Sequence, residues 1–484
     1  MNSEWREVCL GDIFKVKHGF AFKGEFFTDE IQPYALVTPG NFAIGGGFQT
    51  QKQKYYRGPV PGEYVLQPGM VVVTMTDLSK QSDTLGYAAL VPDDGTIWLH
   101  NQRVGLLIFR DPDESDPIFF SYLLRTQTYR AWVVGSATGT TVKHTAPSRI
   151  ESFRCFVPNI DEQQRIAYAL KCLDDKIDLN RRINQTLEAM AQAIFKSWFV
   201  DFDPVKAKIA AIEQGQDPLR AAMRAISGKT DTELDQMPRE RYDQLAATAA
   251  LFPDAMEDAA PGSANAASAG RAAAASELGE IPKGWEAVPA STLIEFNPKE
   301  PLRKGTVAPY LDMASLPTSD SWAERPTLRE FGSGMRFRNG DALLARITPC
   351  LENGKSAFVQ NLPAETVGWG STEFIVMRSK KPVPQEYAYL LVRHSAFREH
   401  AIRSMTGTSG RQRAQADAVA EFKVVTPSNA LVWSAFGEFL ASFFRKIKSL
   451  SEEMETLAQL RDTLLPKLLS GELSINPMQE ANDD

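Results

Sequence analysis

Two tripeptides, Gly354-Lys355-Ser356 and Gly228-Lys229-Thr230, carry the Gly-Lys-Ser/Thr ending of a phosphate-cradling loop. The upstream glycine such a loop requires falls at Pro349 in one case and Met223 in the other, so neither forms one. Phe296-Asn297-Pro298-Lys299 approaches the Asn-Pro-Pro-aromatic tetrad of adenine methyl transfer, but Lys299 replaces the second proline and no glycine-rich loop flanks it. Asp174-Asp175-Lys176 sets carboxylates beside a lysine within a helical heptad, which reads as a solvated face. The five histidines (His18, His100, His144, His394, His400) show no metal-ligand spacing. The four cysteines (Cys9, Cys155, Cys172, Cys350) form no CxxC pair, which argues against a zinc site or disulfide framework and fits a reducing cytoplasm. No catalytic constellation results, and the chain is expected to be noncatalytic.

Binding chemistry remains. Across 484 residues, 43% are hydrophobic, 23% are charged and the net charge is -7, enough apolar material for two to four packed domains. The charge is uneven. Residues 281–428 carry 19 Lys or Arg against 15 Asp or Glu, while every other stretch is neutral to acidic. A phosphate-contacting surface is therefore allowed locally despite the negative total. No stretch is long and apolar enough to span a membrane, and Met1–Leu10 lacks the apolar region of a signal peptide, so a cytoplasmic location is expected.

The elements that must position any contacts are duplicated at a period near 270. Gly139-Thr140 in Thr138–Thr141 recurs as Gly407-Thr408 in Thr406–Ser409, and Phe119–Arg125 recurs as Tyr387–Arg393. The strand-like run Pro68–Thr76 recurs as Asn339–Ile347, and Trp5–Val8 as Trp285–Val288. After each copy comes a sustained a/d heptad. The first seam is Ile166, Leu170, Leu173, Ile177, Asn180, Asn184, Leu187, Ala191, Ile194 and Trp198. The second is Phe436, Leu440, Phe443, Ile447, Leu450, Met454, Leu457, Arg461, Leu464 and Leu468. Matching seams predict one antiparallel coiled coil, with Asn180, Asn184 and Arg461 as polar seam residues that fix its register. Between the copies, Pro204–Gly228 suggests a helical hairpin and Ala259–Ser276 a flexible Ala/Ser/Gly connector.

A duplicated variable domain followed each time by a long helix resembles the specificity subunits of type I restriction–modification enzymes. The resemblance covers most of the chain. Its local carriers are Trp5…Gly11-Asp12-Ile13, Gly139-Thr140, Pro158…Gln163-Gln164-Arg165-Ile166, Ala193–Phe202, Ser276–Trp285 and Arg461–Leu473. The second copy departs at Pro427-Ser428-Asn429, where Ala430-Leu431-Val432-Trp433 replaces the Gln-Gln-Arg run and bears on how that helix start docks.

The resemblance implies an α/β (α+β) fold. Two tandem target-recognition domains (1–158 and 281–428) are joined by conserved helices (159–205 and 429–473) in an antiparallel coiled coil with pseudo-twofold symmetry. Residues 206–280 are read as a linker and 474–484 as a flexible tail. Each domain would read half of a bipartite double-stranded DNA target. The implied partners are two methyltransferase subunits and restriction/translocase subunits; S-adenosylmethionine, ATP and magnesium would belong to those partners and none to this chain. Seams of about 33 residues give helices on the order of 50 Å long, against roughly 34–36 Å per DNA turn, which suits a split site with an unread spacer. The rival reading is a single-chain, pseudo-dimeric transcription regulator without such partners.

Candidate DNA contacts are polar and basic residues of the turn segments. In the first copy these are Asn101, Gln102, Arg103, Thr138, Thr140, Thr141, Lys143, His144 and Arg149. In the second they are Ser371, Thr372, Glu373, Arg403, Thr406, Thr408, Arg411, Gln412 and Arg413, with the arginine cluster favoured. Arg and Gln suit guanine and adenine edges, Glu accepts from cytosine, and Lys suits phosphate.

Overall fold

In both copies a short apolar run lies at the centre of a sheet with both faces covered. The computed structural model describes residues 5–50, 53–77, 83–139, 142–259, 279–408 and 411–475. It divides into two compact units, Met1–Asp178 with Met454–Asp484, and Leu179–Glu453.

In the first unit an antiparallel sheet runs Phe14–His18, Val104–Phe109, Val71–Thr74, Ala88–Leu90. Successive strand residues point to opposite faces. Val71 and Val73 therefore join a core with Phe119, Phe120 and Tyr129 of the helices Pro117–Leu123 and Gln127–Gly135. Val72 joins another core with Ala35, Val37 and Trp98 of a second sheet. That second sheet runs Phe27–Thr28, Lys54–Tyr56, Tyr34–Val37, Ile97–His100, its last two strands parallel. A strand buried on both faces must be apolar throughout, which is why this one lacks polar alternation. Arg6–Cys9 pairs with Arg154–Val157 and so brings the start of the domain beside its end.

The second unit repeats this order. Ile294–Phe296, Phe374–Ser379, Ala342–Ala345 and Ser356–Phe358 form its sheet, with Leu343 facing one core and Ala342 and Leu344 the other. Val307–Leu311 runs parallel to Gly368–Gly370 in the accompanying sheet, and Trp285–Pro289 pairs with Lys423–Pro427.

Two helices of 40 residues follow the domains, Ile160–Phe199 and Ala430–Leu469. Asn159 caps the first, accepting from the Glu162 amide at 3.0 Å, and Asn429 caps the second, accepting from Leu431 at 3.0 Å. Within the first unit Ile166 and Leu170 share a core with Leu468, and Asp174 pairs with Arg461 at 2.7 Å. Within the second unit Asn180 donates to Glu453 at 2.8 Å and Asn184 to Ser451 at 3.0 Å, while Trp198 meets Phe436. In each unit the number on one helix falls as its partner's rises, which is antiparallel pairing along the expected seams. The helix starts dock differently. Gln163 is buried and donates to the carbonyls of Glu114 and Pro158, whereas Val432 and Trp433 are buried at the second start and Trp433 stacks on Phe199 at 4.7 Å.

Two sequence readings are corrected. Residues 206–280, read as a linker that is helical and then low-complexity, do form the helical hairpin expected over Pro204–Gly228, but they are packed into the core as far as Ala259 rather than serving as a linker. Helices Asp203–Glu213, Pro218–Ser227, Asp231–Asp235 and Arg239–Ala250 bury Met223, Ile226, Leu245 and Ala249 against Trp198, Phe199 and Trp285. Strand Met256–Asp258 then pairs with Glu280–Pro282, and residues 260–278 lie outside the described residues. Most of the tail reading (476–484) also lies outside them, although Ile475 packs on the first core. Asp174 is no solvated face: it accepts from Tyr122 at 2.7 Å and Arg125 at 3.0 Å as well as from Arg461.

Two carboxyls of the first long helix, Asp174 and Glu188, are shifted in opposite directions. Burial pushes the Asp174 carboxyl up, but the Arg125 charge and hydrogen bonds from Arg461 and Tyr122 outweigh it and hold it below its ordinary range. Burial of Glu188, hydrogen-bonded by Tyr389 and 3.8 Å from Arg393, wins over both partners and raises its carboxyl. A depressed folded value stabilises above the unfolded value and is lost as pH falls through the folded one; a raised value has the opposite sign. At pH 7, Asp174→Asn is therefore expected to destabilise by about 2–3 kcal/mol, because two arginines lose their countercharge. Because burial disfavours the charged form of Glu188, Glu188→Gln is expected to cost less than Asp174→Asn. Urea unfolding of the two variants at pH 7 checks the contrast.

Candidate nucleic-acid interface

Three segments converge in each unit, and the same backbone bonds join them. In the first, strand Val71–Thr74 ends at Met75, whose amide donates to the Arg103 carbonyl at 3.1 Å and whose carbonyl accepts from Thr145 at 3.0 Å. In the second, strand Ala342–Ala345 ends at Arg346, whose amide donates to the Glu373 carbonyl at 2.9 Å and whose carbonyl accepts from Ala414 at 2.8 Å. The turns Asn101–Arg103 and Ser371–Glu373 are thereby tied to the Gly-Thr turns that follow Thr138 and Thr406.

Each Gly-Thr turn is closed in the same way. Thr138 and His144 exchange backbone hydrogen bonds of 3.0 and 2.9 Å, as do Thr406 and Arg413. Gly139 has φ +96°, and a Cβ there would lie 2.0 Å from the Val142 carbonyl oxygen; Gly407 has φ +126° with more room. Only glycine adopts such angles without strain. At the other turn, Phe20 donates to the His100 carbonyl at 2.8 Å and Gln102 donates to the Phe20 carbonyl at 2.9 Å. That close approach needs Gly19, whose Cβ would lie 2.1 Å from the Asn101 carbonyl oxygen.

The structure thus brings most of the sequence-derived candidates together and leaves Gln102, Arg103, Thr138, His144, Thr372, Arg403, Thr406, Thr408 and Arg411 exposed. Lys143 and Gln412 are half-buried beside them, and Arg403 ends the helix Ser395–Arg403. Thr140 and Thr141 lie outside the described residues.

Several candidates have other duties. Asn101 is buried, and its side-chain oxygen accepts from the Arg103 amide at 3.2 Å. Ser371 does the same for the Glu373 amide at 3.1 Å. Both therefore hold the turn rather than face outward, as Asn and Ser commonly do. Arg149 stacks on Trp132 at 4.3 Å, and its carbonyl accepts from that indole, so it braces its own domain. Glu373 is not a free acceptor: Arg413 grips it with bonds of 2.8–2.9 Å from Nε and Nη2. Those hydrogen bonds hold the Glu373 carboxyl below its ordinary range against the effect of partial burial.

Sequence reasoning missed Thr76, whose hydroxyl meets His144 Nδ1 at 3.1 Å, and Arg346 and Gln415, which bond each other at 3.1 Å. The signal was present, because Thr76 and Ile347 end the matching strand runs. His100 lies beneath the first site; burial lowers it to about 4, so it is neutral at physiological pH. Among the described residues no cluster of three or more His, Cys, Asp or Glu side chains is arranged to hold a metal ion, and no helix is long and apolar enough to cross a membrane.

Residues 2–189 match the Type I restriction modification DNA specificity domain family. The HindI specificity subunit of a type I restriction enzyme from Haemophilus influenzae is 29% identical over 374 residues, 74% of this chain and 77% of that protein. The MjaIX specificity subunit from Methanocaldococcus jannaschii is 21% identical, over 81% of this chain and 76% of that one. The crystal structure of the S subunit of a type I restriction-modification system from M. genitalium shares the fold, with a TM-score of 0.51 at 14% identity over 97% of each chain.

The glycine geometry yields an ordering. Gly139→Ala is expected to destabilise by about 1–3 kcal/mol, because a positive φ is combined with a backbone clash. Gly407→Ala, with its nearest atom at 3.0 Å, is expected to destabilise less. Chemical denaturation of the two variants gives the order.

Proposed function

We propose that this chain is a specificity subunit of a type I restriction–modification system and reads a two-part DNA site, one half with each target-recognition domain. It is the noncatalytic recognition component. Partner methyltransferase subunits modify adenines at the sites it selects, and restriction/translocase subunits cut DNA that lacks the modification. S-adenosylmethionine, ATP and magnesium belong to those partners, and the assembly works in the cytoplasm.

The observation that carries this reading is the repeated junction of strand end, capped turn and Gly-Thr turn. Each copy presents exposed hydroxyl and guanidinium groups there, and the first adds the Gln102 amide and the His144 imidazole. Hydrogen-bond donors and acceptors of this kind read base edges in the major groove, and lysine or arginine beside them holds phosphates.

Genome-wide mapping of methylated adenines in cells carrying the intact system tests the proposal. A motif of two short blocks separated by unspecified bases is expected. Replacing residues 281–428 with the corresponding domain of another specificity subunit is expected to change one block and leave the other. A single continuous motif, or a change in both blocks, would overturn the reading.

Neutralising Arg403 and Arg411 is a finer probe, since both are exposed in the basic domain. As phosphate ligands, each alanine change is expected to weaken DNA binding similarly across sequences. The slope of log affinity against log salt should shrink by about one unit for each arginine–phosphate pair removed. Binding isotherms of the assembled complex at several salt concentrations measure it.

A further inference from the structure

Resting on that recognition reading, we propose that Arg413 reads a guanine in the half-site of the second domain, and that Glu373 is a positioning residue that aims it. The first support is positional. His144 and Arg413 occupy the same place in the two copies. Each is bridged to the threonine before the Gly-Thr turn, Thr138 or Thr406, and each lies opposite the residue that follows the strand end, Thr76 or Ile347. The side chains differ, yet both are fixed on one flank by the protein and free on the other. His144 gives Nδ1 to the Thr76 hydroxyl at 3.1 Å, and its Nε2 has no hydrogen-bond partner among the described residues. Arg413 gives Nε and Nη2 to Glu373, and its Nη1 has none among the described residues.

The second support is the geometry of the fork. A guanidinium held through Nε and Nη2 still offers the parallel N–H bonds of its Nη1/Nη2 edge. That edge matches the O6 and N7 acceptors of guanine. Its stem does not wander, because the backbone is bonded on both sides and the carboxylate fixes the plane. The side chain is 42% exposed, so the free edge is reachable.

Charge separates this use from a phosphate grip. Glu373 lies against the guanidinium and cancels most of its field beyond roughly 8 Å, the screening length at physiological salt. A residue meant to attract phosphate would be weakened by that neighbour, whereas one meant to donate two directed hydrogen bonds is sharpened by it. Arg403 and Arg411, without a carboxylate partner among the described residues, suit the phosphate role.

The test uses the full chain assembled with its methyltransferase subunits and a duplex carrying its methylation motif. Each guanine of the second block is replaced singly by 7-deazaguanine, which removes the N7 acceptor and leaves the protein untouched. One replacement is expected to weaken binding of the native complex about tenfold. The same replacement is expected to have no further effect on the Arg413→Lys complex, which keeps the charge and loses the fork. Glu373→Gln is expected to reduce discrimination at that same guanine without weakening binding to unrelated DNA. Melting curves matching the native chain show that the variants are folded. The inference is overturned if no 7-deazaguanine matters in the native complex. It is also overturned if Arg413→Lys keeps the motif, or if it weakens all sequences alike with a flatter salt slope. A native complex with no two-block motif would instead sink the recognition reading beneath it.

Discussion

A strand with both faces buried must still satisfy the peptide groups just beyond its end, and the functional geometry of this chain follows from that requirement. Val71–Thr74 and Ala342–Ala345 lie between two cores, so Met75 and Arg346 leave the sheet where water cannot serve them. An unpaired buried backbone group costs about as much as a lost hydrogen bond, so partners are supplied. They come from the turn ending at Arg103 or Glu373 on one side and from the residue after the Gly-Thr turn on the other. The site is thus the place where three chain segments meet to end one strand.

The seam between the long helices shows one problem met in two ways. An apolar heptad alone permits sliding by a turn, and polar seam groups forbid it, since a slipped register would leave them unpaired. In the first unit the lock is ionic, with Asp174 shared by Arg125, Arg461 and Tyr122. In the second it is made by amides, with Asn180 on Glu453 and Asn184 on Ser451, while Glu188 of the same helix is buried against Tyr389. Arg125 and Arg393 are matching residues of the two copies, and each approaches the carboxylate of the long helix in its own unit.

Much of this was legible in the sequence because it is periodic. The heptads named Asn180, Asn184 and Arg461 among the seam residues but not their partners Glu453, Ser451 and Asp174, and the matching runs located the strands and the Gly-Thr turns. What escaped lacked a period or changed meaning on folding. The hairpin over Pro204–Gly228 was legible, but residues 206–280 as a whole read as a linker because their apolar residues are mostly alanine with scattered Leu, Met and Ile. They become core only against Trp198, Phe199 and Trp285. Asp174 looked solvated because its partners Arg125 and Arg461 are far away in sequence. Asn101 and Ser371 looked like DNA ligands because residue type does not distinguish a turn cap from a reader. Glu373 and Arg413, forty residues apart, were chosen as separate readers and proved to be one unit.

The duplicated frame also explains how such a protein can change what it recognises without refolding. The bonds that close the Gly-Thr turn and tie it to the strand end are made by backbone groups, which every residue except proline carries in full. The two copies demonstrate the tolerance: His144 and Arg413, Met75 and Arg346, and Arg103 and Glu373 hold equivalent positions with unrelated side chains. Exchange at these places removes no backbone bond from either core. The glycines and the turn caps enjoy no such freedom, because their conformations are what the backbone bonds require. A surface of this kind separates what must be constant from what can vary, residue by residue.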